Sequence, residues 1–166
     1  MRRICLLVAV VLSFQTLSAL GQARQVEEKR GFGYLFFGSG ATIAEGTRLA
    51  LMHFGGGGES LIKGGFGGSV ELGYLFSVEG GIRGGLGVFA PAVSYRFRHK
   101  AKTVPFLTGG WALGFREDTI NLIHFGGGVD HWLNKRLGLR IEARDFMDAK
   151  SPGYHFLQAR IGLLMR

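Results

Sequence analysis

The stretch LGLRIEARDF, residues 137–146, decides the fold. Apolar and polar residues alternate along it: Leu137, Leu139, Ile141 and Ala143 occupy the odd positions, and Gly138, Arg140, Glu142 and Arg144 the even ones. Because successive side chains of a β-strand point to opposite faces, this stretch predicts a strand with one apolar face and one strongly charged face.

The same period of two extends outward from this stretch over most of the chain. It recurs in segments of about ten residues separated by turn residues, the length of a strand that crosses a membrane. The predicted strands are 31–38, 48–57, 66–76, 86–98, 103–115, 120–133, 137–146 and 154–165. An even number of strands with both ends of the chain on one side fits a closed barrel.

Composition excludes several classes of protein. Glycine supplies 29 of the 166 residues, which disfavours a helical protein because each glycine inside a helix costs about 1 kcal/mol relative to alanine. Hydrophobic residues make up 46% and charged residues 19%, so the chain is not intrinsically disordered. The net charge of +8 is spread without a lysine- or arginine-rich run, and we therefore expect no nucleic-acid partner.

A soluble sheet also alternates, with its apolar face turned inward, but three features favour a membrane barrel. Several strands have only glycine, alanine and serine on their second face. Short connections at 59–63, 98–102 and 134–136 alternate with longer ones at 39–47, 77–85 and 145–153, which we place outside the cell. Aromatic residues gather near strand ends, as in interfacial girdles: Tyr34, Phe36, Phe37, Tyr74, Phe76, Tyr95, Phe97, Trp132, Phe146, Tyr154 and Phe156. The predicted fold is all-β, a closed antiparallel eight-stranded transmembrane β-barrel.

The N-terminus predicts export. Arg2 and Arg3 precede an apolar core, residues 4–14, and residues 21–23 form a plausible cleavage site, which together are typical of a signal peptide over residues 1–23. Residues 24–30 form a short charged tail in the periplasm, and the barrel domain spans 31–166. The single cysteine, Cys5, lies in the signal peptide, so we expect no disulfide in the exported chain.

With the apolar stripes facing lipid, the charged stripes face the lumen. An arginine or lysine on the lipid face would cost about 2–4 kcal/mol at the midplane. We therefore expect a structural charge network inside the barrel, formed by Glu71, Arg96, Arg140, Glu142, Arg144 and Arg160, with Asp130 as a further partner. Inward glycines at 73, 126, 128, 138 and 162 indicate a crowded interior, and a narrow or transient pore is the alternative.

Residues 126–146 and the segment PFLTGG, residues 105–110, resemble the small bacterial outer-membrane β-barrel proteins of the porin-like outer membrane protein β-barrel domain group, related to OmpX and the OmpA membrane domain. The resemblance implies a Gram-negative outer-membrane location, outer-membrane lipid and lipopolysaccharide as surroundings, insertion by the barrel-assembly machinery, and a monomer. Such barrels usually end in an aromatic residue, whereas this chain ends in Leu164, Met165 and Arg166.

These residues predict an envelope-structural, surface-contact or limited-permeability role without catalysis, cofactor or metal. A soluble secreted barrel that binds an apolar ligand is the alternative, with a lipid-modifying barrel enzyme as a third. For that enzyme, His155 near Ser151, with Asp145 or Asp148, is the one loop cluster of suitable residue types.

The segment HFGGG occurs at 53–57 and again at 124–128, through either duplication or independent use of small residues at strand bends. His124 and His131 fall on opposite faces of one strand and cannot share a metal ion.

Overall fold

The structure, a computed structural model, describes residues 31–43, 49–97, 101–116, 118–150 and 153–166. These residues form eight strands: β1 Gly31–Ile43, β2 Ala50–Lys63, β3 Phe66–Ser77, β4 Leu86–Arg96, β5 Thr103–Phe115, β6 Thr119–Trp132, β7 Leu137–Asp148 and β8 His155–Met165. A single turn of 3₁₀ helix, Ile82–Gly84, lies between β3 and β4.

The strands close into an antiparallel barrel in which each strand pairs with its neighbours in the sequence. β1 closes the barrel by pairing with β8, from Gly33 opposite Met165 to Ile43 opposite His155. The predicted fold class, a closed eight-stranded antiparallel barrel, is confirmed. Closure leaves no strand edge with unpaired backbone groups, a requirement for any sheet that crosses a bilayer.

The two ends of the barrel differ in their connections. The terminal rim holds the start of β1, the end of β8 and the connections 64–65, 97–102 and 133–136. The loop rim holds the connections 44–49, 78–85, 116–118 and 149–154.

The outer wall of the barrel is apolar along its whole circumference. Exposed hydrophobic side chains include Leu35, Leu72, Val93, Leu107, Ile141 and Ile161. Ile141 is 68% exposed, whereas its neighbours Arg140 and Glu142 are 2% and 1% exposed. The alternation read from residues 137–146 therefore separates an apolar wall from a charged interior.

The prediction of long outer loops was wrong for two of the three loops. β1 continues through residues 39–43, and β7 continues to Asp148, so the loop-rim connections measure only three to eight residues. Residues 59–63, predicted as a turn, belong to β2, and the turn itself is Gly64 and Gly65. Polar residues at outward positions, Ser39, Ser60 and Asp145, break the apolar alternation in these stretches, although backbone pairing continues.

The aromatic girdles are also smaller than predicted. Five of the eleven aromatic residues assigned to them are buried inside the barrel: Tyr34, Phe36, Trp132, Phe146 and Phe156. Two outward clusters remain, one of Phe66, Tyr95 and Phe97 near the terminal rim and one of Phe54, Tyr74 and Phe76 toward the loop rim. A position near a strand end does not show whether an aromatic side chain faces lipid or the lumen. Its odd or even position along the strand does.

The predicted signal peptide, residues 1–23, and the tail, residues 24–30, lie outside the described residues. In the part of the chain that the structure describes, no helix is both long and apolar enough to cross a membrane.

Candidate functional site

The lumen holds the polar residues for which the sequence predicts a role. The structure places the six predicted residues, Glu71, Arg96, Arg140, Glu142, Arg144 and Arg160, inside the barrel, each at most 3% exposed. They fall into two groups. Two further residues complete the second group: Glu59, for which the sequence predicted no role in the lumen, and Asp130, which was predicted only as a further partner.

The central network consists of Glu71, Glu142, Arg144 and Arg160, contributed by β3, β7 and β8. Both guanidinium groups bind the Glu71 carboxylate in bidentate fashion, Arg144 at 2.7 and 3.0 Å and Arg160 at 3.1 Å through both nitrogens. Arg144 also contacts Glu142 at 2.6 Å. Such parallel pairs fix geometry as well as charge.

The terminal-side network consists of Glu59, Arg96, Asp130 and Arg140. Arg96 donates to both Glu59 oxygens at 2.7 and 2.8 Å and also binds Asp130. Arg140 donates to both Asp130 oxygens at 2.8 and 3.0 Å and reaches Glu59 at 3.2 Å. Each carboxylate therefore binds both guanidinium groups, and the four groups form a closed ring.

The two networks are balanced in charge and connected by Tyr34. The four arginines face four carboxylates, so this set carries no net formal charge. The Tyr34 hydroxyl donates to Glu71 at 2.8 Å, while its ring lies 4.5 Å from the Arg140 guanidinium. Buried charges are tolerated when they are paired and hydrogen-bonded in this way.

Glu59 is the functional residue that the sequence analysis missed, because its charge was attributed to a turn. The signal was present in the parity of β2. Glu59 lies six positions after His53, so both face the lumen, where they are 5% and 2% exposed. Only glycines at 55 and 57 share that face between them.

An imidazole layer lies next to the central network on the side of the loop rim. His53 and His124 come from β2 and β6, the two copies of the HFGGG segment, and both are buried. Their rings pack against Phe146, with centroids 6.1 and 5.3 Å away. His53 also contacts the Gln158 amide at 3.1 Å. His131 lies on the outer face, as the parity of β6 predicts, and contacts Thr103 at 2.8 Å.

Apolar layers enclose the charged interior on both sides. On the terminal side, Phe32, Val104, Trp132 and Leu164 form the terminal plug. Tyr34 and Phe36 continue this cluster beside the charge networks, where the Phe36 ring lies 4.9 Å from the His53 ring. The loop-side cup is built from Leu51, Val88, Ala90, Ala112, Phe146 and Phe156, with Leu75, Leu86 and Leu122 packed against it. A cavity of about 310 Å³ lies within the cup near the loop rim.

Two residues of the cluster that could support catalysis, His155 and Asp145, are in contact. His155 Nδ1 lies 2.9 Å from Asp145 Oδ2 on the outer wall near the loop rim. Asp148 instead caps the backbone amide of Lys150 at 2.8 Å. Ser151, the predicted nucleophile, lies outside the described residues. Within the described ranges, no group of three histidine, cysteine or acidic residues is arranged to hold a metal ion.

Comparison with known proteins identifies the fold. No protein-family model matches the sequence, and no curated protein matches it. Among solved structures, Neisserial surface protein A is 10% identical with a TM-score of 0.64, over 81% of this chain and 96% of that one. The N-terminal β-barrel domain of Pseudomonas aeruginosa OprF is 11% identical with a TM-score of 0.61, over 84% and 100%.

The outer membrane enzyme PagL is 15% identical with a TM-score of 0.53, over 80% of this chain and 99% of that one. At these identities the similarity concerns the fold. The chain has the eight-stranded architecture of small outer-membrane barrels.

Proposed function

We propose that this chain is an integral outer-membrane β-barrel protein with a structural, non-catalytic role in the envelope. The observation that carries the proposal is the apolar outer wall around an interior of paired charges. A soluble barrel for an apolar ligand would show the inverse pattern, with polar residues outside. The similarity in fold to the outer membrane enzyme PagL supports the proposed location.

The apolar outer wall also indicates what surrounds the barrel in the membrane. Outer-membrane lipid and lipopolysaccharide would cover the apolar band, and the barrel-assembly machinery would insert the exported chain. A monomer suffices, since the β1–β8 pairing closes the barrel within one chain. Connections of three to eight residues at the loop rim leave little protruding surface, which favours an envelope-structural role over an extended surface contact.

Fractionation of a diderm host that expresses the full chain tests the location. We expect the protein in the outer-membrane fraction and a faster migration of the unheated sample on a gel, as for folded barrels. A soluble chain whose mobility does not change on heating would contradict the proposal.

Two substitutions at different depths in the bilayer make this test more specific. Ile141→Arg places a charge on the wall within β7, where a cost of about 2–4 kcal/mol is expected near the bilayer midplane. Leu137→Arg makes the same change at the terminal rim, where the cost falls to about 0–1 kcal/mol. Equal amounts of folded barrel for the two variants would contradict a lipid-facing wall.

A lipid-modifying enzyme is the second candidate, favoured by the contact between Asp145 and His155. A carboxylate that orients an imidazole supplies two parts of a nucleophile–base–acid arrangement. Mass spectra of lipid A from cells with and without the protein test it, with His155→Ala as the control. Unchanged spectra are expected under the structural role, and a mass change that His155→Ala abolishes would establish the enzyme instead.

A further inference from the structure

The loop-side cup contains a cavity that the proposed structural role does not require. A cavity of about 310 Å³, open toward the loop rim, lies here between large apolar side chains, among them Leu51, Leu86, Leu122 and Phe156. A volume of about 300 Å³ is the lower end of the range for small-molecule sites.

The lining of the cavity defines the chemistry of an occupant. Its walls are leucine, isoleucine and phenylalanine, and its floor is the Phe146 ring beside the imidazole layer. An apolar cavity of about 150 Å³ accommodates benzene, so roughly twice that volume accommodates an alkyl chain of about ten carbon atoms.

The polar groups of the lining lie toward the loop rim. Among the described residues they are Thr42, Ser77, Asp148, Tyr154 and His155, and the lining residues in the described part of the chain include no lysine or arginine. His155 is already bound to the Asp145 carboxylate, and Asp148 adds a second carboxylate. A carboxylate or phosphate head group would meet the Asp148 carboxylate with repulsion, whereas an ammonium or hydroxyl group can donate a hydrogen bond to it.

We infer that the loop-side cup binds the alkyl chain of a small single-chain amphiphile, with a hydrogen-bond-donating head group at Asp148. The chain enters through the loop rim and ends against Phe146. The central network closes the lumen beyond it, because Glu71, Arg144 and Arg160 fill the barrel there. The site is therefore a closed pocket and not a passage.

The experiment uses the full barrel in lipid nanodiscs with ¹³C-labelled leucine methyl groups and decylamine as the probe. We expect saturable shifts of the lumen methyls at Leu51, Leu75, Leu86 and Leu122. Leucines on the lipid wall, such as Leu107 and Leu157, report partitioning of the probe into lipid. Shifts confined to the wall leucines would overturn the inference. A heat-shift gel first verifies the folded barrel, so a failure of binding is distinct from a failure of the proposed function.

A matched pair of substitutions tests the cavity itself. Leu122→Trp fills it and should weaken decylamine binding at least tenfold, whereas Leu157→Trp makes the same change on the outer wall, where the residue is 52% exposed, and should leave binding unchanged. Leu86→Trp replaces Leu122→Trp if that variant does not fold. Unchanged binding in a folded, filled variant would overturn the site.

The head group is tested with Asp148→Asn and with decanoate. We expect at least a fivefold loss of decylamine affinity in Asp148→Asn, against no loss in Asp118→Asn, a loop-rim aspartate outside the cavity lining. Decanoate should bind the wild-type barrel more weakly than decylamine. Equal binding of the two probes would overturn the assignment to Asp148.

Discussion

Glu71 is the residue on which the interior depends most. Its two carboxylate oxygens accept hydrogen bonds from Arg144, Arg160 and Tyr34, between 2.7 and 3.1 Å. Breaking a buried ion pair by removing one partner leaves an uncompensated charge, which costs about 3–5 kcal/mol. We expect Glu71→Gln to lower the free energy of unfolding by that amount, because two guanidinium groups lose their shared anion.

Urea unfolding of the barrel in lipid vesicles measures this change. Glu79→Gln serves as the control, since it removes the same charge from an exposed position in the 78–85 connection, and its midpoint should match that of the wild type. A midpoint for Glu71→Gln equal to the control would mean that the central network contributes little to stability.

Adjacent glycines in β2 offer a test of crowding at the residue scale. A Cβ at Gly57 would lie 2.6 Å from the Val70 carbonyl oxygen and 2.9 Å from the Tyr34 hydroxyl. At Gly58, on the opposite face, the nearest atom would be 4.0 Å away. We expect Gly57→Ala to destabilise the barrel by about 1–3 kcal/mol, the usual range for overpacking, and Gly58→Ala to change stability little. Equal unfolding midpoints for the two variants would refute a crowded lumen.

The turn between β2 and β3 is the element whose backbone depends most clearly on its sequence. Gly64 and Gly65 have φ values of 64° and 91°, where residues with a Cβ are strained. A Cβ at Gly65 would also lie 2.5 Å from the Arg96 carbonyl oxygen, whereas Gly64 has open space around it.

We therefore expect Gly65→Ala to slow refolding and to lower the unfolding midpoint. Gly64→Asn should be tolerated, because asparagine accepts the left-handed conformation more readily than other residues. Refolding into vesicles, followed by heat-shift gel, measures both variants. Normal refolding of Gly65→Ala would show that the turn can adopt another conformation.

The elements also show what the sequence could predict. β7 was predictable because every odd residue from Leu137 to Ala143 is apolar, so parity and burial follow from the pattern alone. For β2 the sequence predicted a strand at 48–57 but not its continuation to Lys63, since four consecutive glycines carry no alternation and Glu59 beyond them looks like a turn residue. In a strand with side chains on both faces, the alternation of apolar and polar residues shows which face each residue occupies. In a glycine-rich strand, this becomes clear only from the pairing with the neighbouring strands.

The lumen residues that could be predicted lie on strands with a clear alternation. Arg140, Glu142 and Arg144 lie inside an alternating strand, so their inward orientation follows from the cost of a charge in lipid. The pairing between strands, such as Glu59 with Arg96, depends on how the closed sheet brings β2 opposite β4. Aromatic residues suit both lipid interfaces and barrel interiors, so Trp132 of the terminal plug and Phe146 of the loop-side cup could not be distinguished from girdle residues by residue type.

At the scale of the whole molecule, the interior is a stack of layers along the barrel axis. The terminal plug, two charge networks, the imidazole layer and the loop-side cup follow one another. An eight-stranded barrel is just wide enough for side chains to fill, and here paired arginines fill its middle. The sequence predicted limited permeability as one possible role, whereas the filled lumen predicts that ions do not cross the barrel.

We expect the wild-type barrel to show no stepwise conductance in planar lipid bilayers. Trp132→Ala, which removes part of the terminal plug, should remain silent, because the ring of Glu59, Arg96, Asp130 and Arg140 still closes the lumen behind it. A wide porin prepared in the same way verifies that channels are detected. Conductance steps in the wild type would show that the paired charges open into a pore, whereas steps in Trp132→Ala alone would assign closure to the aromatic plug and not to the charge networks.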